Sequence, residues 1–131
     1  MAAISYFFDT SIFVNSLDRK SKAYGIVFSR HPILKKYTSR HVFKELRRIS
    51  IGFPDLGISV NDINYLIERI EHACIILPSP TLNDFKHIYI EDKSDRPIVY
   101  SAMYVDAILV TADRKLAKDA ERYVKTMLLE E

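Results

Sequence analysis

The feature that most constrains the fold is the alternation of short apolar segments with longer amphipathic ones. Runs suited to buried strands cover residues 3–8, 33–38, 73–77 and 107–111, and residues 126–129 suggest a short final strand. Strands that alternate with one or two helices indicate a mainly parallel sheet covered on both faces. Because crossovers between parallel strands are right-handed, the pattern predicts an α/β fold, a doubly wound three-layer α/β/α sandwich.

The segments between these strands carry helix signals. The sequence predicts helices over residues 10–17, 20–29, 39–49, 59–72, 81–91, 97–104 and 114–124. Thr10 and Ser11 are candidate N-caps of the first helix, and Pro97 suits the first turn of the sixth. Ser59 and Asp62 have the spacing of a capping box, with Asp in place of the usual Glu.

Composition limits the class of protein. Apolar residues make up 48% of the 131 residues and charged residues 27%, as in an ordinary globular domain, so we interpret residues 1–131 as one domain. Cys74 is the single cysteine, which excludes an intramolecular disulfide and fits a reducing compartment. No apolar run is long enough to cross a bilayer and no signal-peptide pattern is present, so we expect a cytoplasmic protein without a membrane partner.

Acidic residues lie at or just past the carboxyl ends of two of the predicted strands. Asp9 comes after the first strand, and Asp113 lies two residues beyond the end of the strand at 107–111. In open α/β sheets, functional sites form beyond the carboxyl ends of the strands, where the strand order reverses. Either residue could instead serve only as the N-cap of the helix that follows it.

Two further acids are candidates for the same site. Helical periodicity puts Glu45 at the border of an apolar stripe that contains Val42 and Leu46, where its carboxylate can point into a cleft. A solvated Glu45 paired with a neighbouring base is the alternative. Asp95 precedes a predicted helix and could cap it, and the spacing alone does not distinguish it from Asp92.

Four carboxylates in one site require compensation of their charge. Two unit charges about 4 Å apart repel by about 4 kcal/mol at an effective dielectric constant of about 20. Such a site therefore implies bound cations, retained protons or both. Since the candidate ligands are all oxygens, Mg²⁺ or Mn²⁺ is the expected cofactor, and such ions can activate water to attack a phosphodiester.

Four segments together resemble the PIN domain, especially the short VapC-like toxins of bacteria and archaea. The segments are FFDTSIFV at 7–14, TSRHVFKEL at 38–46, DRPIVYSA at 95–102 and AILVTADRKL at 107–116. Their order and spacing match the family across nearly the whole chain. The resemblance implies a parallel sheet of four or five strands and Mg²⁺- or Mn²⁺-dependent hydrolysis of RNA.

The resemblance also assigns roles to particular residues. It implies that Asp9, Glu45, Asp95 and Asp113 are the catalytic acids and metal ligands, and it favours Asp95 over Asp92. Ser11 and Thr111 match positions that support the acids. The last motif departs from the family in having Ala112 where Gly or Asn is usual, and Val99 and Tyr100 are bulkier than usual; these changes leave the acids intact. Arg96, Arg114 and Lys115 lie beside the proposed ligands and are candidate contacts for RNA phosphates.

The leading hypothesis is therefore a metal-dependent endoribonuclease, the toxin of a toxin–antitoxin pair, in which a metal-activated water attacks the phosphorus. The resemblance implies a small antitoxin protein as partner and a homodimer. A non-catalytic PIN module that binds RNA or a protein, and a housekeeping RNA-processing nuclease, are alternatives. A haloacid-dehalogenase-type phosphatase would need a second Asp at position 11, which is Ser11. The RNA target and the number of metal ions are open.

Overall fold

A five-stranded parallel sheet forms the centre of the computed structural model, which describes residues 4–131. The strands are β1 (Ile4–Phe8), β2 (Leu34–Ser39), β3 (Ile75–Leu77), β4 (Ile108–Thr111) and β5 (Thr126–Leu128). Their order is β3-β2-β1-β4-β5, and every neighbouring pair is parallel. The predicted α/β class and parallel sheet are confirmed. Ala3, included in the first predicted strand, lies outside the described residues.

Helices cover both faces of this sheet. They are α1 (Thr10–Asn15), α2 (Lys22–Phe28), α3 (Arg40–Gly52), α4 (Val60–Ala73), α5 (Arg96–Tyr104) and α6 (Arg114–Ala120). The chain moves from β1 through β2 to β3 in one direction, and then crosses to β4 and β5 in the other. With right-handed crossovers, α1 to α4 therefore lie on one face, and α5 and α6 on the opposite face.

The strand order positions the site. β1 is the central strand, and Phe7 and Phe8 at its end are fully buried, as are Leu109 and Val110 of the adjacent β4. The connections that leave β1 and β4 run to opposite faces of the sheet. A crevice therefore opens between the carboxyl ends of these two strands, at the switch point of the topology.

Two helix predictions need correction. Residues 81–91 form turns rather than a helix, with hydrogen bonds from Asp84 N to Thr81 O and from Ile88 N to Phe85 O, both 3.0 Å. The reason is periodicity: Ile88 and Ile90 are buried whereas Tyr89 between them is exposed, an alternation that suits extended chain. The last predicted helix ends at Ala120 instead of 124, and turns follow it.

The other helix signals agree with the structure. The predicted capping box is confirmed: Ser59 Oγ accepts a hydrogen bond from Asp62 N at 3.0 Å, and Asp62 Oδ2 accepts one from Ser59 N at 3.1 Å. Pro97 lies in the first turn of α5. No helix within residues 4–131 has the length and apolar character needed to span a membrane.

Candidate active site

Asp9 lies at the switch point of the sheet and is almost completely buried. Its backbone N–H donates to the carbonyl of Val110 at 3.2 Å, which fixes the end of β1 against β4. Its Oδ1 accepts hydrogen bonds from Ser11 Oγ at 2.7 Å and Ile12 N at 3.3 Å, and its Oδ2 accepts one from Thr111 Oγ1 at 2.6 Å. Burial raises the pKa of Asp9 to about 6 despite these hydrogen bonds.

Ser11 and Thr111 connect the first and last acids. Thr111 Oγ1 accepts a hydrogen bond from Asp113 N at 3.0 Å while it donates to Asp9. Ser11 Oγ likewise accepts one from Ala112 N at 2.9 Å. The two hydroxyl groups thus hold the chain after β1 and the chain after β4 in a fixed relation.

Glu45 lies on the side of α3 that borders the crevice. Leu46 beside it is fully buried, and the Glu45 side chain is 18% exposed. One carboxylate oxygen accepts a hydrogen bond from Thr10 Oγ1, and the other accepts one from Ser94 Oγ. His41 Nε2 is 3.8 Å from Glu45 Oε1 and 2.9 Å from the carbonyl oxygen of Ser94. These contacts tie Glu45 to the chain after β1 and to the segment that precedes α5.

Asp95 ends a short 3₁₀ turn, Lys93–Asp95, directly before α5. Burial raises the pKa of Asp95 to about 7, and the charges of Asp92, Glu45, Asp113 and Asp9 contribute to the rise. Asp92 is exposed and accepts a hydrogen bond from Ser94 N at 3.0 Å. The structure therefore separates these two candidates: Asp95 faces the other acids, and Asp92 holds the turn.

All four acids line one cavity of about 340 Å³. Helix capping, the alternative considered for three of them, occurs in two. Asp9 caps α1, and Asp113 caps α6 through Lys115 N at 2.9 Å and Leu116 N at 3.2 Å. The side chain of Asp95 makes no capping hydrogen bond to α5. Capping thus fixes the directions of two carboxylates that also face the cavity.

The three basic candidates all have partners within the protein. Arg96 Nε donates to the carbonyl of Ile90 at 2.7 Å, which anchors the segment before α5. Arg114 pairs with Glu130, and Lys115 Nζ is 3.3 Å from Glu91 Oε2; both pairs are exposed to solvent. Arg96 therefore has a structural contact, whereas Arg114 and Lys115 take part in ion pairs at the surface.

The donor chemistry of the cavity fits a hard divalent cation, since all four candidate ligands are carboxylates. No group of three or more acidic, histidine or cysteine side chains between residues 4 and 131 is arranged to hold an ion directly. Mg²⁺ commonly uses one or two carboxylates and retains several waters, so a Mg²⁺ site does not require three direct side-chain ligands. The role of the four acids as ligands stays a prediction.

Sequence reasoning missed Ser94 as a partner of Glu45 and treated Thr10 only as a candidate helix cap. The first helix is capped by Asp9, and Thr10 is its first residue. The partners of Glu45 are 35 and 49 residues away in the chain, so no local spacing could indicate them. The only available signal was a hydroxyl residue directly beside two of the predicted acids: Thr10 beside Asp9, and Ser94 beside Asp95.

Comparison with known proteins gives similarity of structure but not of sequence. No protein-family model matches the sequence, and no curated protein matches it significantly. A chain of VapBC2 from Rickettsia felis, solved with a promoter DNA fragment, aligns with a TM-score of 0.75 at 14% identity, covering 97% of this chain and 100% of that one. VapBC-1 from nontypeable Haemophilus influenzae gives 0.68 at 17%, with 95% and 98% covered.

A third similar structure is described as a PIN domain endonuclease, Utp24. It aligns with a TM-score of 0.60 at 16% identity, covering 97% of this chain and 86% of that one. Identities this low carry information about the fold rather than about individual residues. The resemblance inferred from the acidic segments is confirmed at the level of the fold: this chain has the PIN-domain fold.

Proposed function

We propose that this protein is a Mg²⁺- or Mn²⁺-dependent endoribonuclease that cleaves single-stranded or loop RNA by hydrolysis. The observation that carries the proposal is the convergence of four carboxylates on one cavity at the switch point of the sheet. No lysine or arginine in the described part of the chain forms a salt bridge with any of the four. No Lys or Arg partner among residues 4–131 thus offsets their mutual repulsion, and a cation from solution would relieve it.

The residues of the site would have different roles. Asp9 and Asp95, whose charged forms are disfavoured in the absence of an ion, would gain most from a bound cation. Bound Mg²⁺ or Mn²⁺ would lower the pKa of a water molecule and offset the charge on the phosphate. Ser11 and Thr111 would hold Asp9 in position, since groups that orient metal ligands strongly affect activity.

RNA would approach the cavity past exposed cations. Arg114 and Lys115 begin α6 directly after Asp113, and their solvent-exposed ion pairs are weak enough for a phosphate to displace the glutamate partners. Contacts of this kind position the backbone without reading its sequence. Arg96, held by the carbonyl of Ile90, would contribute charge from a fixed position.

The proposal extends to a role as the toxin of a toxin–antitoxin pair, with a small antitoxin as partner. The support is that several similar structures are VapBC and FitAB complexes. In addition, Ile51, Phe53 and Leu56 are exposed around the end of α3, and a partner helix could cover such apolar side chains. A homodimer is part of the same proposal, and the molar mass in solution would test it.

The decisive experiment compares Asp9→Asn with the wild type on several single-stranded RNAs. The substitution keeps the shape of the side chain but removes its charge, so we expect cleavage to be lost while the circular dichroism spectrum is unchanged. The matched control is Asp55→Asn, an exposed acid outside the cavity, which should cleave as the wild type does. Excess EDTA should also abolish cleavage, and added Mn²⁺ should restore it.

Two outcomes would contradict the proposed mechanism. Cleavage by Asp9→Asn at the wild-type rate would remove Asp9 from the chemistry, and full activity in EDTA would remove the metal. An absence of cleavage by the wild type across several RNAs with Mn²⁺ would instead favour a module that binds RNA or protein without catalysis.

A further inference from the structure

A second cavity, of about 520 Å³, lies beside the helix that Asp95 precedes. One wall is formed by the segment after β3, and the other by the side of α5 that carries two tyrosines. The lining includes Pro78, Ser79, Pro80, Asp84, Tyr100 and Tyr104. None of these residues takes part in the acidic site, and the size is within the range of about 300–1,000 Å³ typical of small-molecule pockets.

The aromatic side of the cavity is built for stacking. Tyr100 and Tyr104 are one turn apart on α5, with ring centroids 6.1 Å apart and planes inclined by 26°. Tyr104 is 73% exposed, so most of its ring is available to a ligand. Every nucleobase has a flat aromatic face, and stacking on an exposed side chain of this kind is the usual way in which proteins hold unpaired bases.

Two polar side chains of the cavity lining, Ser79 and Asp84, differ in their access to a ligand. Ser79 Oγ is buried and has no hydrogen-bond partner within residues 4–131. Asp84 uses Oδ2 to accept a hydrogen bond from Thr81 N at 2.8 Å, and its Oδ1 accepts none from the described residues. Because Ser79 Oγ has almost no exposed surface, the polar group of the cavity that a ligand can reach is the exposed carboxylate of Asp84. Asp84 adds an acceptor suited to an amino group.

The position relates this cavity to the acidic site. Tyr100 and Tyr104 follow Asp95 by five and nine residues, which corresponds to about 8 and about 14 Å along a helix. An RNA strand that has a phosphate at the four carboxylates and runs along α5 would bring a nearby nucleotide to these rings.

We infer that this cavity is a subsite for one unpaired nucleobase near the cleaved phosphate, stacked on Tyr104 and selected by Asp84 for an exocyclic amino group. The inference rests on the proposed RNA substrate. Adenine, cytosine and guanine carry such an amino group, whereas uracil has none and offers one ring N–H between two carbonyl oxygens, which a carboxylate repels. The subsite gives the enzyme a base preference that the acidic cavity alone cannot supply.

The test uses the Asp9→Asn protein, so that binding is measured without cleavage. Fluorescence anisotropy would give its affinity for a labelled single-stranded oligoribonucleotide of mixed sequence, and for versions in which one base at a time is replaced by an abasic ribose. We expect base removal at one position to weaken binding about tenfold. Adding Tyr104→Ala should weaken binding of the intact strand by a similar factor and abolish the effect of base removal at that position.

Matched variants show which groups of the subsite contribute to binding of the base. Tyr104→Phe keeps the ring and should bind like the parent. Tyr89→Ala removes a tyrosine of similar exposure, 70%, that does not line the cavity, and it should leave the effect of the abasic position unchanged. With the base at the sensitive position varied, uracil should bind most weakly, and Asp84→Asn should reduce that difference.

The subsite is overturned if Tyr104→Ala and base removal act additively at every position. Additive effects together with a change from dimer to monomer in Tyr104→Ala would show that a second copy of the chain covers the cavity. Failure of the proposed function is seen separately: a wild type that cleaves no RNA contradicts the nuclease whatever the anisotropy shows. Normal cleavage with additive binding contradicts the subsite alone.

Discussion

Thr111 shows how one buried hydroxyl can control two acids at once. Its Oγ1 donates to Asp9 Oδ2 at 2.6 Å and accepts from Asp113 N at 3.0 Å, and the side chain is fully buried. Because the side chain of Asp113 also caps α6, Thr111 connects the end of β1 to the start of that helix. Thr111 is therefore a positioning residue for the proposed metal site.

Replacing Thr111 by Val should impair the site while keeping the shape of the side chain, because the change replaces only the hydroxyl group with a methyl group. The change leaves the buried Asp9 Oδ2 and the partly buried Asp113 N–H without this partner, so we expect a loss of about 1–3 kcal/mol in the free energy of unfolding. We also expect activity to fall about 10- to 100-fold, with a higher Mg²⁺ concentration at half-maximal rate. Titration of the cleavage rate with Mg²⁺ measures this, and Thr111→Ser should largely restore the wild-type curve. An unchanged Mg²⁺ dependence would refute the positioning role.

The four acids differ in how well their positions in the structure could be predicted from the sequence. Asp9 and Asp113 follow buried strands, so their meeting at the switch point could be expected from topology alone. Glu45 could be placed at the border of a helix stripe, but its contacts with Thr10 and Ser94 depend on how separate elements pack. Asp95 could be preferred to Asp92 only through the family resemblance, because their local spacing is equally suitable.

At the scale of elements, buried strands and capped helices were predictable, whereas the segment between β3 and α5 was not. The segments of β1 and β4 are largely apolar, and α4 has its complete capping box. Residues 81–91 have a helix-like start at Thr81 and Asp84, but the alternating burial of Ile88 and Ile90 requires extended chain. Tertiary packing overrides the local signal there, since both isoleucines join the core while Tyr89 between them stays exposed.

The placement of Glu45 depends on the anchoring of α3. Leu46 is fully buried in the core, next to Val42 on the same helix, and fixes the rotation of that helix relative to the sheet. Leu46→Ala should lower the free energy of unfolding by about 2–5 kcal/mol, because it removes buried methyl groups and leaves a cavity. Urea denaturation measures this, and the volume-conserving Leu46→Met should cost less than about 1.5 kcal/mol. Equal losses in both variants would show that cavity formation is not the cause.

At the scale of the whole molecule, the fold concentrates negative charge at one place and leaves it uncompensated. The formal net charge of the chain is +2, yet the cavity is lined by four carboxylates. Apolar packing of β1 and β4 determines where the carboxyl ends of these two strands meet. The acids that come after the strands, Asp9 and Asp113, are therefore placed at that point. The fold stores electrostatic free energy at the site that a bound cation would release.

This imbalance predicts opposite responses to pH with and without metal. Asp9 and Asp95 have pKa values of about 6 and about 7 in the folded chain, raised from 3.8, so the folded state binds protons more tightly than the unfolded state. Their contribution to stability is complete below about pH 4 and is lost as the pH rises to about 7. The melting temperature of metal-free protein should therefore fall over this range. Mg²⁺ should raise it far more at about pH 8 than at about pH 5, because only ionised carboxylates bind the ion. Thermal denaturation with and without EDTA measures both effects.

The variant Asp95→Asn tests the source of this pH dependence. It should flatten the pH dependence of the melting temperature and reduce the effect of Mg²⁺, whereas the exposed control Asp55→Asn should preserve both. An identical pH slope in Asp95→Asn and wild type would contradict this account.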